Sequence, residues 1–242
     1  MLALSRRIFL ANAAAMAGTR VFAGGAGGAP NVSFGVLSDV HLERRGDEDT
    51  LIKALEYFRD NGEDGTKHMV DFCQLTDRRT SRKYYGSHEQ IARAIRRYAT
   101  AAGQDVVRFY EIVLFSFIIG NSDMHLKNFS LLREHDGTWH LSPAYDLVPV
   151  KTILPADKDE LALTLNGKNR NLRASDFRIA TATMGLTDVQ YRRLTARMLA
   201  SVKDNLEEAI SRSFLSKGFI KRFRELVHAN LNRIDHLTEI GT

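Results

Sequence analysis

The sequence predicts a mainly helical fold with two short β-hairpins, preceded by a short strand-and-helix segment. Three observations predict it. Two capping boxes, Ser87 to Gln90 and Thr187 to Gln190, each open a stretch whose apolar residues recur at helical spacing. One segment, Ile112 to Ile119, is apolar nearly all round and belongs in the centre of a core. Two turn signatures, His135-Asp136-Gly137 and Asn166-Gly167, sit between alternating apolar residues.

Composition narrows the function classes. The 242 residues are 44% hydrophobic, enough for a sizeable core, and contain four prolines. A single cysteine, Cys73, excludes an internal disulfide and a cysteine-based zinc site. No apolar run approaches the roughly 18 to 20 residues that a membrane-spanning helix needs. The net charge of +5 fits arginine-rich solvated helix faces rather than a dedicated nucleic-acid surface.

Residues 1–29 read as an export signal. Ser5-Arg6-Arg7-Ile8-Phe9-Leu10 resembles a twin-arginine motif, and small apolar residues follow from Ala11 to Gly18, then Val21-Phe22-Ala23. Val32 to Ser38 reads as a strand that ends in Asp39-Val40-His41. Residues two apart on a strand share a face, so Asp39 and His41 form a weak candidate pair of metal ligands. This segment resembles the first motif of the metallophosphoesterases. The later motifs of that family are missing: Gly46-Asp47 comes too soon, and Gly120-Asn121 is followed by Ser122 rather than histidine. Residues 30–64 are therefore expected to be a truncated metallophosphoesterase-like fragment, with a helix over Leu51, Ile52, Leu55 and Phe58. The break Asn61 to Gly65 puts the boundary of the next domain, 65–242, near residue 65.

The second domain reads as helices in sequence. Ser87 caps a helix carrying Ile91, Ala94, Ile95, Tyr98 and Ala99, which ends by Gly103. Asp105 is expected to cap the next, Val106 to Ile119, which Gly120 ends. Phe129 to Leu132 and Thr138 to Leu141 form the first hairpin; Leu161, Leu163 and Leu165 lead into the second. Thr187 opens a long helix with Tyr191, Leu194, Met198, Val202, Leu206 and Ile210 on one stripe. A last helix aligns Phe219, Ile220, Phe223, Val227, Leu231 and Ile234.

The chemistry lies between the buried helix and the first hairpin, in Asn121-Ser122-Asp123-Met124-His125-Leu126-Lys127-Asn128. Asp123 and Asn128 have the D-x-x-x-x-N spacing of a protein-kinase catalytic loop. One carboxylate accepts or orients a substrate hydroxyl proton, and an amide oxygen holds a magnesium ion. A hard cation wants further oxygen ligands, and Asp146 arrives after the hairpin. A zinc site from His125, His135 and His140 lacks the ligand spacing such sites show.

With these motifs the chain resembles the HipA family of serine/threonine kinases, the toxins of certain bacterial toxin–antitoxin pairs. The likeness runs over about residues 68–240, through Asp71 to Gln74, Gly86 to Gln90, Asn121 to Asn128, Leu141 to Asp146 and Leu165 to Asn171. It implies a helical kinase-like C-lobe, with Asp123 as catalytic aspartate and Asn128 and Asp146 as magnesium ligands and contacts to the Mg-ATP cofactor. His125 is implied to buttress the loop or act in catalysis, and Lys127 to meet phosphate or substrate or to stand as a solvated charge. It further implies a protein substrate and a HipB-like helix-turn-helix antitoxin as partner. DNA would be reached only through that antitoxin, and the location would be cytoplasmic, at odds with the export-like start. A kinase also needs a Gly-rich cover and a strand lysine paired with a helix glutamate. Residues 1–65 supply neither, so the sequence predicts a truncated, impaired kinase and a chimera of two ancestries. The alternatives are a helical module that binds an antitoxin or partner without activity, or the remnant of an exported metal-dependent phosphoesterase.

Overall fold

In the computed structural model the chain divides into two units, Met1–Thr66 and Lys67–Thr242. The residues described are 68–213 and 215–235, all in the second. The export-like segment, the Asp39–His41 pair and the helix after it lie outside the described residues.

The described fold is mainly helical. In chain order it runs β1 (Met69–Asp71), α1 (Phe72–Leu75), a 3-10 turn (Thr80–Arg82), α2 (His88–Tyr98) and α3 (Ala102–Ile119). A second 3-10 turn (Leu126–Asn128) leads into β2 (Ser130–Arg133) and β3 (Trp139–Leu141), followed by α4 (Val150–Ile153), α5 (Ala174–Thr183), α6 (Asp188–Ser211) and α7 (Lys217–Asp235). Among the described residues no helix is long and apolar enough to cross a membrane.

The helices begin where local chemistry starts them. Ser87 Oγ accepts from the Gln90 backbone N–H at 3.2 Å, and Gln90 Oε1 accepts in return from the Ser87 N–H at 3.3 Å. Thr187 and Gln190 repeat the exchange at the head of α6. α3 is the axis of the core: Phe109, Tyr110, Val113, Leu114, Phe117 and Ile118 are all buried, and the helix packs against α2, α6, α7 and β3. Its start differs from expectation. α3 begins at Ala102, so Asp105 is not its cap but lies inside the first turn, fully buried, with its carboxylate 3.5 Å from His140 Nδ1 and 3.6 Å from Arg108. The helix begins a turn earlier than expected, and the Asp105 N–H already donates to Ala101 O at 3.1 Å, so the residue is inside the helical bonding rather than at its head.

The sheet has three antiparallel strands in the order β1-β2-β3. The first expected hairpin is β2–β3, with Leu131 opposite Leu141 and Gly137 in the left-handed region at φ 85°. β1 joins on the other side, Val70 opposite Leu131, an element that its three residues did not announce. The second expected hairpin is present only as its turn. Asn166 and Gly167 take φ 51° and 73°, and Leu165 bridges Lys168, but no ladder continues. Leu161, Leu163 and Leu165 go wholly into the core, and Thr164 instead bridges Ser87. Their alternation reflects burial, not a ribbon.

Candidate active site

The loop after α3 starts from a rigid helix end. Gly120, at φ 73°, donates its N–H to Phe117 O at 3.1 Å, and Asn121 donates to Ser116 O at 2.8 Å, the paired bonds of a Schellman closure. A Cβ on Gly120 would lie 2.5 Å from Leu226 Cδ2 of α7. Glycine is required both by the backbone and by the neighbour.

Asn121, fully buried, organises the next residues. Its Oδ1 accepts from the Asp123 N–H at 3.2 Å, and its Nδ2 donates to the Asp146 carbonyl at 3.1 Å. One side chain thus ties the loop after α3 to the segment after the hairpin. The loop then tightens: His125 N donates to Asp123 O at 2.8 Å and Asn128 N to His125 O at 2.9 Å, closing the 3-10 turn. Buried Leu126 pins that turn to the core. The Tyr145 hydroxyl donates to Lys127 O at 2.7 Å and pairs with Ser130 Oγ at 2.6 Å, and burial pushes it up to about 12.

These constraints bring Asn128 and Asp146 together. Asn128 Nδ2 donates to Asp146 Oδ2 at 2.6 Å and to the Asp123 carbonyl at 3.4 Å. Asp146 itself is left-handed, at φ 55°, a conformation that aspartate tolerates better than most residues. Asp123 is half-buried, and its Oδ1 accepts the Tyr84 hydroxyl at 2.7 Å. His125 is buried and meets the Tyr84 ring edge-on at 5.1 Å, while Lys127, two residues on, is half-buried. All five residues singled out in this domain, Asp123, His125, Lys127, Asn128 and Asp146, therefore lie on one short stretch of surface and its support. Tyr84, Asn121 and Tyr145 complete it. Asn121 and Tyr145 stood inside quoted motifs without a role; Tyr84, 39 positions from Asp123, carried no signal.

The donor chemistry suits magnesium. The Asn128 amide turns its Nδ2 toward Asp146, so a cation shared by the two would need the amide reversed to present its oxygen beside the carboxylate; magnesium commonly takes one or two carboxylates with phosphate oxygens and water. Among the described residues no group of three or more His, Cys, Asp or Glu forms a cage of its own. A cation here would be held jointly with a nucleotide's phosphates.

Comparison with known proteins bears on the family and the fold. Residues 37–209 match the HipA-like C-terminal domain family, a range that begins 28 residues before the domain boundary expected at residue 65. The Sinorhizobium fredii protein named "Putative kinase Y4mE" is 27% identical over 174 residues, covering 67% of this chain and 39% of that protein. "Putative kinase Y4dM" of the same organism is 40% identical over 90 residues, covering 37% of this chain and 22% of that one. The chain thus spans between about a fifth and two-fifths of these relatives' length. Among solved structures, Shewanella oneidensis HipA, determined in complex with HipB and its operator DNA, superposes with a TM-score of 0.57 at 20% identity, over 75% of this chain and 48% of that one, which shows a shared fold. With the family matched over most of its length, the chain belongs to the HipA-like C-terminal domain family.

Proposed function

We propose that this chain carries the phosphoryl-transfer residues of a HipA-like serine/threonine kinase. The observation that carries the reading is the convergence of Asn128 and Asp146 at 2.6 Å beside Asp123. Asp123 Oδ1 is taken by Tyr84, which leaves Oδ2 for the hydroxyl of a serine or threonine acceptor. With the Asn128 amide turned to present its oxygen in place of the Nδ2 bond, Asn128 and Asp146 would hold magnesium, which when bound offsets charge on the phosphates of ATP. His125 supports the loop from beneath, and Lys127 offers a cation to phosphate or substrate. Phosphoryl transfer depends mostly on position and charge stabilisation, and the expected Gly-rich cover and strand lysine are not recognisable in residues 1–65. Slow transfer by this chain alone is the corresponding expectation.

The same reading supplies the partner and the place. The fold shared with a HipA solved on HipB and operator DNA supports a HipB-like helix-turn-helix antitoxin as partner, with DNA reached only through it. Dependence on ATP puts the working domain in the cytoplasm, whatever the export-like start does. A phosphoesterase activity resting on Asp39 and His41 would have two ligands, too few for a dinuclear site.

Manganese, a paramagnetic substitute for magnesium, tests the site. Titrated with Mn2+ and ATP together, the chain should hold the ion in a protein-bound state, seen by electron paramagnetic resonance. Asn128→Ala and Asp146→Ala should each weaken that binding about tenfold or more. Equal binding by wild type and both variants would contradict the assignment.

A further inference from the structure

The segment between α1 and α2 contributes a side chain to the catalytic loop from outside the D-x-x-x-x-N motif. Tyr84 donates its hydroxyl to Asp123 Oδ1 at 2.7 Å, and its ring stands edge-on to His125 with centroids 5.1 Å apart. Lys83 Nζ lies 5.3 Å from the centre of the same ring. The backbone beneath is held from both sides. Leu126 N, in the catalytic loop, donates to Lys83 O at 3.1 Å. On the other side the Arg78 guanidinium donates to Tyr85 O and to Gln90 Oε1. A Cβ on Gly86 would fall 2.5 Å from Arg78 Nη1, so a larger residue there would push the end of the arginine side chain aside.

We propose that Tyr84 is a positioning residue for phosphoryl transfer at Asp123, an inference that rests on the kinase reading of the site. A carboxylate on a half-exposed loop rotates readily, because its terminal torsion has broad minima. The Tyr84 hydroxyl fixes one oxygen and so turns the other toward the acceptor hydroxyl. The ring, braced by His125 and by the Lys83 ammonium, keeps the hydroxyl from following the carboxylate. Tyr84 is 41% exposed, so water would satisfy both partners if the bond were lost. The bond is therefore dispensable for the fold, and what it adds is orientation.

The test compares the full chain with Tyr84→Phe, with Asp123→Asn as reference. Transfer of labelled γ-phosphate from Mg-ATP to a serine- and threonine-containing peptide library gives kcat and the KM for Mg-ATP. Carboxyl 13C resonances of labelled aspartate report Asp123 directly, assigned by the signal missing from Asp123→Asn. Tyr84→Phe should lower kcat about 10- to 100-fold, leave KM and the melting temperature unchanged, and move the Asp123 carboxyl resonance without nucleotide present. An unmoved resonance, an unchanged kcat, or a lost kcat accompanied by a lowered melting temperature would each overturn the positioning role. Absence of transfer from wild type is a different failure: it overturns the kinase reading, and the positioning role with it.

Discussion

Asn121 shows how much one buried amide can do. It joins Asp123 to Asp146 through opposite ends of the same group. Asn121→Ala should cost about 2 kcal/mol in urea unfolding, the scale of a buried polar group losing its partners, and should also weaken cation binding at Asn128 and Asp146. His88 shows the opposite situation. It is fully buried between the rings of Phe109 and Phe129, with centroids 5.9 and 6.0 Å away, and neither ring nitrogen is hydrogen-bonded among the described residues. Burial holds it neutral, down to about 3 from the usual 6.5. Below pH 6.5 the unfolded chain therefore takes up a proton that the folded chain refuses, so stability falls with pH until about pH 3. His88→Leu should remove that slope. Between pH 7 and 5 wild type should lose about 2 kcal/mol more than the variant, measured by urea unfolding at both values. Equal losses would mean that His88 is protonated in place.

At the scale of elements, the features legible in the sequence are the local ones. The capping boxes at Ser87 and Thr187 are complete within four residues, and both helices start where those residues say. The Asn166-Gly167 turn is likewise local, and its two positive φ values follow from the residue types. β1 and α5 were illegible for different reasons. β1 is three residues long and exists through pairing with β2 about sixty positions later. α5 shows only Phe177 as a large buried side chain among small and hydroxyl residues. Its start is fixed by Asp176, which accepts from Lys168 Nζ at 2.8 Å and from Asn166 Nδ2 and Arg173 N at 2.9 Å. Burial works against the Asp176 charge, yet these three donors hold the carboxyl below its usual range. That stabilisation is present above the ordinary carboxylate range and lost as pH falls through the lowered value. Asp176→Ala should cost about 2 kcal/mol at pH 7, discounted for the exposed lysine, and much less in acid. Gly120→Ala belongs at this scale too. The left-handed backbone and the collision with Leu226 should together cost about 2 to 3 kcal/mol in thermal or urea unfolding.

For the whole molecule, the site divides along the same line between local and distant. Asp123 and Asn128 are five apart, so spacing exposes them; Asp146 follows one hairpin and is carried by its motif. Asn121, two residues from Asp123, ties it to Asp146; the further contacts on the site come from far along the chain. Tyr84 acts across 39 positions, and α7 closes over Gly120 from beyond residue 217. Such contacts leave no period or spacing in a sequence. The family match and the shared HipA fold account for the scaffold, and the chemistry assigned to it rests on the three polar residues it brings together.

The measurement that meets this most directly is transfer of labelled γ-phosphate from ATP to serine or threonine by the purified chain, with magnesium and then with chelator. Slow, magnesium-dependent transfer that falls by about 100-fold or more in Asp123→Asn is the expected result. Transfer undiminished by that substitution, or none above background in wild type, would contradict it.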